Sequence, residues 1–167
     1  MIGGGNGSFI GAVHRIAANL DGQIDLECGC FSGTPSVSVA SGRSLFLPED
    51  RIYNSYQEMI EEEAKLPEAE RMDFVSIVTP NHVHFEPAMM ALKHGFHVVL
   101  DKPVTYTLEE AKALREQVKV SGKLFALTHT YTGYPMVKEA RTRVLRGDIG
   151  KVRRVYVEYP QGWLYSD

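Results

Sequence analysis

The 167-residue chain is predicted to fold as an α/β protein built on a doubly wound parallel sheet. Three observations predict this. Short apolar strand patterns alternate with amphipathic helical patterns, the mark of parallel βαβ units. A glycine-rich run, Gly3-Gly4-Gly5-Asn6-Gly7-Ser8-Phe9-Ile10-Gly11, opens the first helix. The composition is that of a globular domain, with 44% hydrophobic, 23% charged and 10% aromatic residues. A chain of this length buries a core without disulfides or metal staples.

Each element has its own signal. Phe9 to Leu20 puts Val13, Ile16, Ala17 and Leu20 on one stripe, which predicts an amphipathic helix. Ile24 to Phe31 reads as a strand, and Thr34 to Leu47 as a Ser- and Gly-rich, poorly patterned helix. Ser55-Tyr56-Gln57-Glu58 is a capping box, opening a helix that should run to about Leu66, before Pro67. Phe74 to Thr79 is a buried strand, stopped by Thr79-Pro80-Asn81. The next helix carries Pro87 in its first turn and Gly95 just past its end. His97 to Leu100 is a strand, and Thr107-Leu108-Glu109-Glu110 is a second capping box. The helix it opens aligns Ala111, Leu114 and Val118 and stops at Gly122, before a strand from Leu124 to Thr128.

The pattern changes near Tyr131. Pro135 starts a helix with Met136, Ala140 and Val144 in line, and Gly147 ends it. Lys151 to Tyr159 then alternates like a strand, with Val155, Val157 and Tyr159 on one face. Two domains are therefore expected, residues 1–130 and the start of another over 131–167. Only Met1 and Ile2 precede the glycine turn, although the first strand of a doubly wound sheet is central. Trp163-Leu164-Tyr165 leaves the last strand with nothing to pair with, so the polypeptide is expected to continue in both directions.

Several function classes are disfavoured. The 18 basic and 21 acidic residues give a net charge of -3, which speaks against nucleic acid as a partner. No apolar run is long enough for a membrane span, and no signal peptide is evident. The two cysteines, Cys28 and Cys30, sit two apart on one strand, poorly placed for a disulfide. They read as reduced, buried small hydrophobes, which suits a cytoplasmic setting. Six histidines raise the question of metal, but His82 with His84 and His94 with His97 lack a third ligand at a recognisable spacing. No metal is expected.

Ligands of open α/β sheets bind at the carboxyl ends of the strands. That rule points to the glycine turn, to Ser32–Thr34, to Thr79–Asn81 and to Asp101–Pro103. Glycines let a backbone turn tightly and approach a pyrophosphate, and the following helix presents free N–H groups and a positive dipole end. Gly3 and Gly5 fit a Gly-x-Gly-x-x-Gly fingerprint, while the helix glycine, Gly11, falls later than the fingerprint places it. The acid expected to hold a ribose 2′-hydroxyl is missing, since the tip reads Phe31-Ser32-Gly33-Thr34. Hydroxyls there suit a ribose or a 2′-phosphate, and Arg43 is a further cation to consider, so NAD and NADP both stay open.

These residues resemble the Gfo/Idh/MocA oxidoreductase family, whose members include glucose–fructose oxidoreductase and inositol dehydrogenase. The resemblance rests on the turn with Gly11-Ala12-Val13-His14, on Thr79-Pro80-Asn81-His82-Val83-His84, on Asp101-Lys102-Pro103 and on Gly147-Asp148-Ile149-Gly150-Lys151-Val152. Asp101 stands where the family more often has Glu, and the glycine turn is longer. The resemblance implies a Rossmann-type first domain, followed by the start of an α/β open-sheet domain used for substrate binding and for dimer or tetramer contacts. A homo-oligomer is therefore expected.

Lys102 follows an apolar strand at the ligand edge. A lysine does acid–base work near neutral pH when burial or a neighbouring cation lowers its pKa. The resemblance implies that Lys102 meets the substrate hydroxyl being oxidised, with Asp101 orienting or balancing it and Pro103 fixing the loop. It also implies that Pro80 and Asn81 pass under the cofactor, with Asn81 near the ribose; His84 opens the next helix. The expected cofactor contacts are Gly3, Gly5, Asn6, Gly7, Phe9, Ile10, Ser32, Thr79, Pro80, Asn81, His84, Lys102 and Pro103. His129 and Tyr131 are placed to meet substrate, and Tyr134, Trp163 and Tyr165 to stack on a sugar ring. The function expected is NAD(P)-dependent hydride transfer at a sugar, sugar-derivative or cyclitol hydroxyl. The alternatives are glycoside cleavage by transient oxidation and non-catalytic dinucleotide binding.

Overall fold

A computed structural model describes residues 1–162, so the aromatic residues Trp163 and Tyr165 lie outside the described residues. The chain divides into two compact units, Met1–Thr128 and His129–Asp167.

The first unit is a parallel sheet flanked by helices. Four strands, β1 (Ile2–Gly3), β2 (Phe74–Val78), β3 (His97–Asp101) and β4 (Phe125–Thr128), lie side by side in chain order. Single parallel bridges extend the sheet beyond β1, from Ile2 to Cys30 and from Gly29 to Ile52. The order across the sheet is therefore Ile52, Gly29–Cys30, β1, β2, β3, β4. The chain moves outward one way from β1, then returns to its other side and moves the opposite way. That is the doubly wound arrangement, with β1 central as expected.

Five helices belong to this unit: α1 (Phe9–Asn19), α2 (Pro35–Ser44), α3 (Tyr56–Glu63), α4 (Phe85–Lys93) and α5 (Leu108–Ser121). The strands alternate, so Val75 and Ile77 of β2 and Val98 and Leu100 of β3 are buried in one cluster. Met59 and Ile60 of α3, Ala88, Ala91 and Leu92 of α4 and Leu114 of α5 complete that cluster. Ser76 and Asp101 alternate with those core residues and meet His14 of α1 instead. Helix α1 thus covers the other face.

The caps are largely as the residues dictate. Thr107 and Glu110 form a reciprocal capping box on α5. Ser55 accepts from Glu58 N on α3, but the Glu58 carboxylate reaches back to Asn54 N at 2.9 Å rather than to the cap. Helix α3 ends at Glu63 rather than near Leu66.

Two expectations are corrected. The strand foreseen over Ile24 to Phe31 shrinks to the bridges at Gly29 and Cys30. A strand is as long as its neighbours allow, and β1 offers two residues on one side and Ile52 one on the other. The apolar stripe foreseen on α1 faces outward: Val13, Ile16 and Leu20 are all exposed, Leu20 at 83%. The packed face is the small and polar one, because the helix crosses the glycine turn too closely for a large side chain.

Cys28 and Cys30 are free and buried. Burial pushes the Cys28 thiol up to about 11 and raises that of Cys30 as well. A polar cluster sits in the same core. The carboxylate of Glu63, 0% exposed, accepts from Tyr53 Oη at 2.9 Å, from Arg51 Nη2 at 2.9 Å and from Met72 N at 3.0 Å. Desolvation, and then the Glu63 carboxylate, push the Tyr53 phenol upward.

In the second unit a short turn over Thr130–Gly133 leads into α6 (Pro135–Arg146). The alternating segment from Lys151 to Tyr159 forms no strand, because no neighbour pairs with it among the described residues. Its Val155, Tyr156, Val157 and Tyr159 are exposed. Among the described residues no helix is long and apolar enough to cross a membrane.

Candidate dinucleotide-binding crevice

The glycine turn runs directly from β1 into α1. Gly3 and Gly4 take positive φ values of 78° and 75°, which swing the chain over the end of the sheet. Gly5 lies against the neighbouring segment, with its N–H donating to Phe31 O at 3.2 Å. A Cβ there would stand 2.7 Å from Ser41 Oγ and 2.8 Å from Phe31 O. A Cβ on Gly11 would run into the backbone of Gly4. Gly11 therefore plays the helix-packing role of the third fingerprint glycine, later in the chain but touching the turn.

Side chains hold the turn from both flanks. Arg15 Nη1 donates to Gly4 O at 2.7 Å, and Ser41 Oγ accepts from Asn6 N at 3.0 Å. Ser8 caps α1 by accepting from Gly11 N at 3.4 Å, and the first turn of the helix carries no acid. The first N–H groups of a helix lack intrahelical partners and make its end positive.

Beside this turn opens a crevice of about 290 Å³. It is lined by Gly3, Gly4, Gly5, Asn6 and Ser8, by Phe31, Ser32, Gly33 and Val37, and by Val78, Thr79 and Pro80. It therefore sits between the carboxyl ends of β1, β2 and the Gly29–Cys30 segment, where the winding reverses. Thr79 Oγ1 is buried there without a hydrogen-bond partner. A close-approach backbone, a positive helix end and an unmet hydroxyl fit the pyrophosphate and ribose of a dinucleotide.

The crevice gathers Gly3, Gly5, Asn6, Ser32, Thr79 and Pro80 of the expected contacts. The others lie off its lining, each for a visible reason. Gly7 faces open space, and Phe9 is 82% exposed. Ile10 packs on Met1, Phe31 and Val78. Asn81 starts a short helical turn over Asn81–Val83, exposed at the surface. His84 is buried, with Nε2 2.9 Å from Thr79 O and Nδ1 2.7 Å from Pro103 O. Both its nitrogens face backbone carbonyls of the crevice wall and of the Lys102 loop, and it does not line the crevice. Arg43 is held away by Glu49, with Nε to Oε1 at 2.6 Å.

Lys102 and Pro103 follow the end of β3, one strand beyond the crevice, and are joined by a cis peptide bond. Lys102 is exposed, and among the described residues it makes no hydrogen bond or ion pair. Asp101 turns the other way. Its carboxylate accepts from Thr128 Oγ1 at 2.8 Å and lies 3.7 Å from His14 Nε2. It anchors the strand end and does not pair with Lys102. His129 and Tyr131 belong to the second unit. There Tyr131 Oη is 2.9 Å from Tyr159 Oη, and its ring meets that of Tyr134 edge-on at 5.7 Å.

Sequence reasoning missed Arg15, Ser41 and Phe31. Ser38 and Ser41 share one helical face in α2 and are both 0% exposed. Their spacing signals a buried hydroxyl face, hidden by the weak apolar pattern around it.

The turn, helix end and crevice define the first unit as a dinucleotide-binding α/β domain. The chain belongs to the Gfo/Idh/MocA oxidoreductase family, whose NAD-binding Rossmann fold matches residues 3–129. It is 33% identical to the uncharacterized oxidoreductase YfiI of Bacillus subtilis over 168 residues, covering 100% of this chain and 42% of that protein. It is 35% identical over 80 residues to the scyllo-inositol 2-dehydrogenase (NAD(+)) of the same organism, covering 48% of this chain and 23% of that one. Among solved structures, an inositol dehydrogenase homolog from Azotobacter vinelandii, complexed with NADH and myo-inositol, superimposes with a TM-score of 0.88 at 37% identity. That match covers 92% of this chain and 40% of the other. The chain thus spans about two fifths of the length of the first of these relatives, 42%.

Proposed function

We propose that the whole protein is an NAD(P)-dependent dehydrogenase that oxidises a hydroxyl of a sugar, sugar derivative or cyclitol. The observation that carries this reading is an unpaired lysine, Lys102, at the carboxyl end of the strand next to the crevice wall. A protein that only bound dinucleotide would have no use for that cation.

The roles divide by strand. The glycine turn on β1 and the end of β2 hold the pyrophosphate and ribose, with Gly5 and Gly11 permitting close approach and Thr79 Oγ1 offering its free hydroxyl. A nicotinamide held there would supply the acceptor for the hydride of the carbinol carbon. Lys102, in its neutral amine form, takes the hydroxyl proton as the carbonyl forms. Asp101, tied to Thr128 and His14, keeps the end of β3 in register. Residues from 131 onward are read as the start of a domain used for substrate binding, with His129 and Tyr131 as its candidate substrate contacts. Ser32 meets the adenosine ribose, and with no acid lining the crevice both NAD and NADP remain candidates.

The test is a turnover assay on the intact protein across sugars and cyclitols, following nicotinamide absorbance. Net, substrate-dependent reduction of NAD or NADP is the expected result. Substrate consumption with no net change in cofactor would favour glycoside cleavage by transient oxidation, a redox-neutral use of the same site. Gly5→Val supplies the structural control. A Cβ at that position meets Phe31 O and Ser41 Oγ, so cofactor affinity should drop by roughly tenfold or more, since such a glycine exists for close backbone approach. Wild-type affinity in a nicotinamide fluorescence titration would remove the glycine turn from the site.

A further inference from the structure

We infer that His84 is a positioning residue that ties the crevice wall to the Lys102 loop, so that the proton acceptor stays aligned with the cofactor. The inference rests on the reading of Lys102 given above.

The ladder between β2 and β3 ends with Ile77 beside Leu100. Beyond that pair the two strands run on into separate loops. One carries Thr79 and Pro80 into the crevice, and the other carries Lys102 and Pro103. No backbone hydrogen bond joins these loops. The His84 ring spans the gap, with Nε2 2.9 Å from Thr79 O and Nδ1 2.7 Å from Pro103 O.

The mount is rigid. His84 is 1% exposed and sits at the start of α4. Its own N–H donates to Asn81 O at 3.3 Å, and its carbonyl accepts from Ala88 N at 3.3 Å. Both carbonyls facing the ring are acceptors, so the ring ties both loops at once as the doubly protonated imidazolium and only one of them as the neutral ring. An amide side chain brings its donors on one nitrogen and cannot point one at each loop. Thr79 offers its hydroxyl to the crevice while its carbonyl is held from behind by His84. Lys102 has no partner of its own among the described residues, and the carbonyl of the next residue is the point at which its loop meets His84.

The experiment uses the intact enzyme with His84→Gln and His84→Asn, beside Lys102→Ala. Near-ultraviolet circular dichroism first establishes that the variants are folded; Gln and Asn differ in length, so one can fill the site where the other does not. At saturating cofactor and substrate, kcat should fall about 10- to 100-fold in both, as expected for misplaced catalytic groups. Cofactor affinity should stay within a few-fold, because the glycine turn on β1 is untouched. Amide hydrogen exchange should quicken in peptides covering 79–83 and 101–107, without cofactor present. A buried histidine that only filled space would lower the melting temperature and leave kcat of the folded enzyme unchanged, and that result overturns the inference. Unchanged exchange in both loops also overturns it, whatever kcat does. If exchange quickens while Lys102→Ala keeps full turnover, the reading of Lys102 fails and takes the catalytic half of the inference with it.

Discussion

Lys102→Ala in the intact enzyme should lower kcat by roughly 10²–10⁴-fold, the usual worth of general acid–base catalysis. Cofactor affinity should hardly change, because Lys102 does not line the crevice where the glycine turn and Thr79 lie. The lysine follows β3 directly, and β3 pairs with the strand that forms one crevice wall. It is exposed and unpaired among the described residues, so nothing in the first unit competes for its amino group. Asp101, its neighbour, accepts from Thr128 at 2.8 Å and makes no ion pair with Lys102. Lys102→Arg should rescue poorly. A guanidinium keeps its proton at any working pH and cannot accept one from a substrate hydroxyl. Measuring kcat and nicotinamide fluorescence titrations for both variants decides the matter. Near-normal kcat in Lys102→Ala would make the lysine a surface charge. Lost cofactor binding would instead move it into the cofactor site.

The fold was legible because its signals are local. Thr107 and Glu110 announce α5, and Pro87 and Gly95 bracket α4, whatever surrounds them. What failed was long-range. Ile24 to Phe31 has strand propensity, but a strand exists only where a neighbour pairs with it, and the neighbours are three residues in all. The stripe on α1 is a real periodicity with the opposite consequence. Gly11 must lie on Gly4, and that one contact rotates Gly11, His14 and Arg15 inward and Val13, Ile16 and Leu20 outward.

The site divides in the same way. The backbone cradle was visible in Gly3 and Gly5 because glycine spacing encodes a shape. The side chains behind it were not. Arg15 clamps Gly4 from four residues past Gly11, and Ser41 reaches Asn6 from another helix. His84 was expected to touch cofactor because it falls near Thr79-Pro80-Asn81 in sequence. In space it lies beneath them, with its ring turned to two backbone carbonyls.

Glu63→Ala should destabilise the first unit by about 3–5 kcal/mol, the usual cost of removing one member of a buried ion pair. Glu63 is 0% exposed, and three donors converge on its carboxylate: Arg51 Nη2, Tyr53 Oη and Met72 N, at 2.9, 2.9 and 3.0 Å. Deleting the carboxylate strands all three. Arg51 suffers least, because its side chain is 17% exposed and it also donates to Glu70 O at 3.2 Å. Tyr53 and Met72 are buried and have nowhere to turn. The cluster also pins the far edge of the sheet, since Arg51 O accepts from Gly29 N at 3.1 Å and Tyr53 N donates to Gly29 O at 2.9 Å. Glu63→Gln should cost less, because an amide oxygen in place of Oε2 still accepts from Arg51 Nη2 and Met72 N, and the NH₂ group in place of Oε1 donates to the Tyr53 hydroxyl. Replacing the charged pair and the phenol together, with Arg51→Met, Tyr53→Phe and Glu63→Leu, should recover most of the loss. It should remain about 1–3 kcal/mol short of wild type, the penalty for the Met72 N–H left without an acceptor. Urea denaturation of the three variants measures the series. Equal stability of Glu63→Ala and wild type would mean that water replaces the carboxylate and that the cluster does not hold the sheet edge.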